Sequence, residues 1–343
     1  MQDQPNFDYL CEIFDPNGYP PKLGKHNAAF AEELAKQSNP PPTSLDIKVL
    51  REATAAFLEG KGLPYPKGMS VASYQETNIG GMQCYQFKHL TPATVPTIVM
   101  YFAGGFCLES MAAVQAFMGN VAVYLPCNII LPNYPLAPET KAPEILAQID
   151  EFLQACLYHS LSKEVILMGW SSGGNLALTS YLNLQKSAPL LAKQVTQLIS
   201  IGPAIDLSRQ VSKFGPFQKQ QNMDRASIGP EVINQLMRWY LPEGCTGTEP
   251  EYCPASRSHA ELKTMPPVTV ITGDCEGTFG DAVFITYHLR QAGAKVQLVV
   301  LKGQTHNHVA FAALSRDSAF APELIAYIIK QESIADLKDL AIY

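Results

Sequence analysis

The run Val165-Ile166-Leu167-Met168-Gly169-Trp170-Ser171-Ser172-Gly173-Gly174-Asn175 decides the fold. Four consecutive apolar residues suit a strand covered on both faces. Gly169 and Gly173 then bracket a serine at the spacing G-x-S-x-G, and residues 176–185 continue with the apolar periodicity of a helix. Strand, tight turn and helix in that order put Ser171 at the carboxyl end of a strand and the amino end of a helix. The turn is so tight that its flanking positions must carry little or no side chain, hence the two glycines, and it predicts a strained, exposed backbone at Ser171. Taken alone, the stretch is also compatible with a glycine- and serine-rich helix cap that performs no chemistry.

Outward from this turn the same rhythm repeats. Residues 97–102, 128–131, 197–201, 268–272 and 296–301 are short apolar runs, and residues 142–159 and 281–292 have helical periodicity. Such an alternation predicts an α/β fold with a mainly parallel sheet covered by helices on both sides. Before it, residues 70–77 and 82–89 read as strands joined by the hairpin signal Asn78-Ile79-Gly80-Gly81. The core is assigned to residues 68–207 and 266–343. Residues 1–67 are proline-rich, with helical stretches at 27–37 and 44–59 that lie on another surface rather than forming a core. Residues 208–265 are far longer than a crossover needs and carry a helix of their own at 230–240. Together with the N-terminal helices they are expected to form a cap over the carboxyl ends of the strands, where open α/β sheets bind ligands. Phe214, Phe217, Met223, Trp239 and Tyr240 are expected mainly to pack this cap onto the sheet.

Composition narrows the function. With 343 residues, 47% hydrophobic and 9% aromatic, the chain can bury a large core, which excludes general disorder. Its 25 basic and 31 acidic residues give a net charge of -6 and no positive surface for phosphates, so no nucleic acid is expected as a partner. The polar, acidic first 15 residues do not resemble a secretory signal, and no apolar run is long enough to span a bilayer. Eight cysteines without a CxxC pair, together with the absence of Asn-x-Ser/Thr sequons, lead to an expected cytoplasmic location with Cys245 and Cys253 as free thiols. A homodimer is compatible with this composition.

A serine needs a base within hydrogen-bond reach to become a nucleophile, and the base needs a carboxylate to orient it. The base is expected after the last core strand, where Lys302-Gly303-Gln304-Thr305-His306-Asn307-His308 offers His306, with His308 as the rival. A metal held by the His-x-His pair would require a third ligand that is not apparent nearby, so neither metal nor cofactor is expected. His26, His89, His159, His259 and His288 fall in elements or surface stretches suited to ordinary hydrogen-bonded roles. The acid is expected after residues 268–272, in Gly273-Asp274-Cys275-Glu276-Gly277-Thr278-Phe279-Gly280-Asp281. Asp281 is expected to cap the helix that follows. Asp274 and Glu276 remain, and the residues alone do not separate them. Backbone N–H groups of Gly104 and Gly105, with that of Ser172, are candidates to hold an oxyanion.

Three motifs together resemble the hormone-sensitive-lipase-like branch of the α/β-hydrolases, which includes the bacterial family IV esterases, over about residues 95–330. Ala103-Gly104-Gly105-Phe106 is similar to the end of that branch's HGGGF, Asn133-Tyr134-Pro135-Leu136-Ala137-Pro138-Glu139 to its DYRLAPE, and Gly169 to Asn175 to its GDSAGGN. Pro254-Ala255-Ser256 resembles the return from cap to sheet, and Gly303-x-x-His306 the setting of the family's histidine. The resemblance implies a helical cap and hydrolysis of carboxylic esters of short to medium acyl chain, with a small-molecule ester as partner. It also favours Glu276 over Asp274 as the acid. Some relatives in this branch are non-catalytic small-molecule receptors, and amide or acetyl hydrolysis would use the same residues, so both stay open. Phe102 stands where the family has His, Ala103 replaces a glycine, Pro135 an arginine and Trp170 an aspartate. Trp170 is expected to alter packing beside Ser171 and to reshape the acyl pocket.

Overall fold

The computed structural model describes residues 7–13, 45–60, 74–215, 217–218, 224, 229–309, 322–332 and 340–342. The helix expected at 27–37 and Met223 lie outside these residues. Nine strands are described: β1 Gln75–Ile79, β2 Met82–Phe87, β3 Thr97–Tyr101, β4 Asn128–Pro132, β5 Val165–Trp170, β6 Val195–Ile201, β7 Val268–Gly273, β8 Val296–Leu301 and β9 Leu340–Ile342. They form one sheet in the order β1-β2-β4-β3-β5-β6-β7-β8-β9. The pairings from β4 through β3, β5, β6 and β7 to β8 are parallel. The β1-β2, β2-β4 and β8-β9 pairs are antiparallel. Every residue of β3, β4, β5 and β7 is buried, which is why these runs are uninterruptedly apolar. The hairpin turn tightens to Gly80-Gly81, both at positive φ, so Asn78 and Ile79 belong to β1 rather than to the loop.

The helices of eight or more residues are α1 Ile47–Gly60, α2 Met111–Tyr124, α3 Ala142–Tyr158, α4 Ser172–Ser187, α5 Pro230–Tyr240, α6 Phe279–Gln291 and α7 Pro322–Ile329. From β3 the chain crosses through α2 to β4 on one side, then returns through α3 to β5 on the other. Because such crossovers are right-handed, reversal of direction puts α2 and α3 on opposite faces of the sheet. Accordingly α3 packs along α4, and α2 along α7. The reversal opens a crevice between the ends of β3 and β5, whose paired last residues include Tyr101 and Gly169.

The residues added to the core hold this end of the sheet. Arg51 of α1 donates to the Cys107 and Ala137 carbonyls at 3.0 and 2.9 Å and forks onto both oxygens of Glu139 at 2.8 and 2.7 Å. Tyr240 of α5 stacks on Phe106 with ring centroids 3.7 Å apart. Phe217 packs against Phe214 and Phe279, Phe214 also against Phe7, and Trp239 lies half-buried against the core. Among the described residues no helix is long and apolar enough to cross a membrane. Cys245 and Cys253 are free thiols.

Candidate active site

Five loops leave the carboxyl ends of neighbouring parallel strands and meet: 102–110 after β3, the turn at Ser171 after β5, Gly202 after β6, 274–278 after β7 and 302–308 after β8. At the centre Ser171 adopts φ 59 and ψ -119, the strained backbone that its motif predicts, but the residue is buried rather than exposed because the surrounding loops close over it. The chain can turn here because a Cβ on Gly169 would overlap the Gly173 carbonyl, and one on Gly173 the Tyr101 carbonyl. The Ser171 N–H is tied to the Ile201 carbonyl at 2.8 Å, so the turn is anchored to β6. Asn175 extends the anchoring, its side-chain amide donating at 2.9 Å to the carbonyls of Ala204 and Tyr252.

His306 Nε2 lies 2.9 Å from Ser171 Oγ. Its Nδ1 is 3.2 Å from Thr278 Oγ1 and 3.8 Å from Glu276 Oε2. Glu276 is fully buried; its Oε1 accepts from Thr272 Oγ1 at 2.5 Å and from Thr278 Oγ1 at 3.1 Å. Burial pushes the Glu276 carboxyl up, but His306, His308 and the Thr272 hydroxyl outweigh it and leave the pKa below the ordinary value, so Glu276 is ionised. Burial pulls His306 down, yet Glu276 and Asp224 outweigh that and hold its pKa above the ordinary 6.5.

The other candidates separate. His308 is turned away from Ser171: its Nδ1 is 2.8 Å from the Thr305 carbonyl and 3.5 Å from Glu276 Oε2, and burial lowers its pKa, so it stays neutral. Among the described residues no cluster suits a metal ion. Asp274 Oδ1 accepts from Gly303 N–H at 2.6 Å, pinning the β7 loop to the β8 loop. Asp281 does not cap α6. The cap is Thr278, and Asp281 sits within the first turn with its carboxylate buried, where Oδ1 accepts from the Ile205 and Asp206 N–H groups at 2.9 and 2.7 Å and Oδ2 lies 3.7 Å from Arg209. Burial pushes its pKa up to about 7. Two backbone N–H groups at this end of the sheet would be left unpaired without it, which explains why the carboxylate turns inward.

Gly104, Gly105 and Ser172 border the same crevice. Among the described residues, no acceptor is assigned to their N–H groups, whereas those of Cys107 and Leu108 are engaged by Gly104 O and that of Ala103 by Ser110 Oγ. Glycine is required at 104, where φ is 134 and a Cβ would overlap the Leu108 carbonyl.

Residues 98–310 match the family described as alpha/beta hydrolase fold. The chain belongs to this family. An esterase of Acinetobacter venetianus is 26% identical over 314 residues, covering 91% of this chain and 95% of that protein. Ethyl acetate hydrolase of Pseudomonas putida is 23% identical over 240 residues, covering 66% and 70%. Among solved structures, a hyperthermophilic esterase from Pyrobaculum calidifontis superimposes with a TM-score of 0.75 at 20% identity, covering 91% of this chain and 98% of that one.

Against the family's motifs, the departures have structural partners. Phe102 is buried and stacks on Tyr134 with centroids 4.0 Å apart, while the Tyr134 hydroxyl donates to the Phe102 carbonyl at 2.8 Å. Ring and hydroxyl thus fix the start of the Gly104 loop. Trp170 is buried and its Nε1–H donates to the His306 carbonyl at 3.2 Å, so it holds the histidine loop. Sequence reasoning passed over Thr278, Gly202 and Asp224. Thr278 lay inside the acid loop, and Gly202 follows a core strand as the other site loops do, so both carried a positional signal. Asp224 carried none. It comes from the long insertion, is buried, and accepts from Gly277 N–H at 2.9 Å; burial pushes its pKa up to about 6.

Proposed function

We infer that this chain hydrolyses carboxylic esters by way of an acyl-enzyme on Ser171. The observation that carries the reading is His306 Nε2 at 2.9 Å from Ser171 Oγ, on a strand-to-helix turn held at positive φ. In this mechanism His306 takes the serine proton as Oγ forms its bond to the ester carbonyl carbon. The tetrahedral oxyanion is held by the N–H groups of Gly104, Gly105 and Ser172. His306 then gives the proton to the departing alcohol, and a water activated by the same imidazole releases the acid. Glu276, ionised and buried, stabilises the imidazolium. The esterase relatives and the ethyl acetate hydrolase support this reaction and a short to medium acyl chain.

In this reading α1 and residues 208–265 act as the cap. Leu236 of α5 supports it, since its side chain fills the space beside Gly105, where an added Cβ would lie 2.7 Å from Leu236 Cδ1. Unpaired, mostly buried cysteines support a reducing, cytoplasmic setting. The test is hydrolysis of p-nitrophenyl esters from acetate to palmitate by the wild type and Ser171→Ala. The expected outcome is turnover of the shorter esters, lost in the variant by a factor of about 10³ or more. Full activity in Ser171→Ala would reject the nucleophile, and a folded but inactive wild type would favour a receptor that only binds.

A further inference from the structure

The imidazole and carboxylate of this site are not in hydrogen-bond contact. At 3.8 Å, His306 Nδ1 and Glu276 Oε2 lie beyond the range of an N–H···O bond. One group touches both: Thr278 Oγ1, at 3.2 Å from Nδ1 and 3.1 Å from Glu276 Oε1. Thr278 is the N-cap of α6, where a threonine ordinarily turns its hydroxyl onto the first backbone N–H groups of the helix. Here that hydroxyl makes no cap bond. It is buried and directed across the site instead.

A hydroxyl has one proton to give and lone pairs to receive. Two acceptors are within reach, the Gly202 carbonyl at 3.2 Å and the Glu276 carboxylate. The ionised carboxylate is the stronger partner. Glu276 cannot swing to close the gap by itself, because the Thr272 hydroxyl holds Oε1 at 2.5 Å, while His308 Nδ1 flanks Oε2 at 3.5 Å. With its proton toward Glu276, Thr278 Oγ1 presents lone pairs to Nδ1. His306 must carry its proton on Nδ1 if Nε2 is to accept from Ser171, so the donors and acceptors match without exception.

We propose that Thr278 is the positioning residue that couples the base to the acid: Nδ1–H donates to Oγ1, and Oγ1–H donates to Glu276 Oε1. The hydroxyl fixes the tautomer and the ring plane. Both protons stay on their own atoms throughout turnover; the protons that move pass through Nε2, from Ser171 to the leaving alcohol in acylation and from water back to Ser171 Oγ in deacylation. The charged groups around His306 are Glu276 and Asp224, which favour the imidazolium, and Arg209, which opposes it. Thr278 links His306 to the first of these. The proposal rests on the esterase reading of the same site.

The test compares wild type, Ser171→Ala, Thr278→Val, Thr278→Ala and Thr278→Ser on p-nitrophenyl butyrate from about pH 5 to 9. Valine keeps the shape of threonine without the hydroxyl. It should lower kcat roughly 10- to 100-fold, the worth of one hydrogen bond to a charged group, with KM within about twofold. The acid limb of kcat/KM should move to lower pH, because the imidazolium has lost its link to the carboxylate. Thr278→Ala, which removes the same hydroxyl with less bulk, should behave alike even if the valine fits poorly, and Thr278→Ser should restore both kcat and the limb. Wild-type rate and an unmoved limb in a variant without the hydroxyl would overturn the proposal, as would a serine variant no better than the valine. Turnover abolished by Ser171→Ala but kept by Thr278→Val rejects the Thr278 link alone; turnover that survives Ser171→Ala rejects the esterase mechanism with it.

Discussion

Gly202→Ala should damage the site without replacing any group that reacts. Gly202 follows β6 at φ 47, and its N–H is fixed to the Ile271 carbonyl at 2.7 Å, so the backbone cannot back away. A Cβ there would lie 3.0 Å from Glu276 Oε1, 3.2 Å from His306 Nδ1 and 3.3 Å from Glu276 Oε2. Comfortable contact begins near ~3.5 Å, so the pair must give by a few tenths of an ångström. The backbone conformation costs a non-glycine residue about 1–2 kcal/mol, which should appear as a fall of a few degrees in Tm. The displacement should appear in kcat. If a misplacement of ~1 Å costs about 100-fold, a shift of a third to a half of that costs roughly 4- to 10-fold. The assay is steady-state hydrolysis of p-nitrophenyl butyrate beside a thermal melt. A lower Tm with kcat within twofold of wild type would refute the contact argument, leaving only the backbone cost.

Two further outcomes separate the carboxylates and set the pH dependence. Glu276→Gln should lower kcat about 100-fold or more by removing the charge that stabilises the imidazolium, whereas Asp274→Asn should keep kcat within about threefold and cost roughly 1–2 kcal/mol of stability through its weakened bond to Gly303; equal losses of activity would reject the assignment. In the proposed mechanism His306 works as a neutral base; its pKa is raised, so its proton persists to higher pH. Activity should therefore fall as pH is lowered through a midpoint above 6.5, measured from kcat/KM against pH; a midpoint below 6.5 would show that burial, not Glu276, controls the imidazole.

Much of this could be read from residues that act locally. The turn at Ser171 is written in two glycines that the backbone geometry demands, and the buried strands in runs of apolar residues that only a doubly covered sheet tolerates. His306 could be singled out because it follows a late strand, and its Nε2 lies 2.9 Å from Ser171 Oγ. Asp281 was misread by the same local logic: its type suits a helix cap, but the unpaired backbone of Ile205 and Asp206, some 75 residues earlier, claims its carboxylate. Thr278 took the cap position while its hydroxyl answered to Glu276 and His306. Strands β1 and β9 also escaped full description. The burial pattern of β1 is mixed and mostly exposed, and its expected start at residue 70 falls outside the described residues. The three-residue β9 is too short for any periodicity.

The departures at Phe102 and Trp170 bear on how the loops of the site are held, above all the loop that carries His306. That loop has little regular structure of its own, and its geometry is imposed from outside. Asp274 at the end of β7 grips its Gly303 N–H, and Trp170 at the end of β5 grips the His306 carbonyl. Asp224 stands against it from the insertion while bonding the acid loop at Gly277. An aspartate at position 170 could not donate to a carbonyl, and a histidine at 102 would give up part of the apolar stack that Phe102 makes on Tyr134. Phe102 and Trp170 therefore each replace a family side chain with a contact that steadies a loop, the first through its stack on Tyr134 and the second through the His306 carbonyl, so these two positions act on orientation.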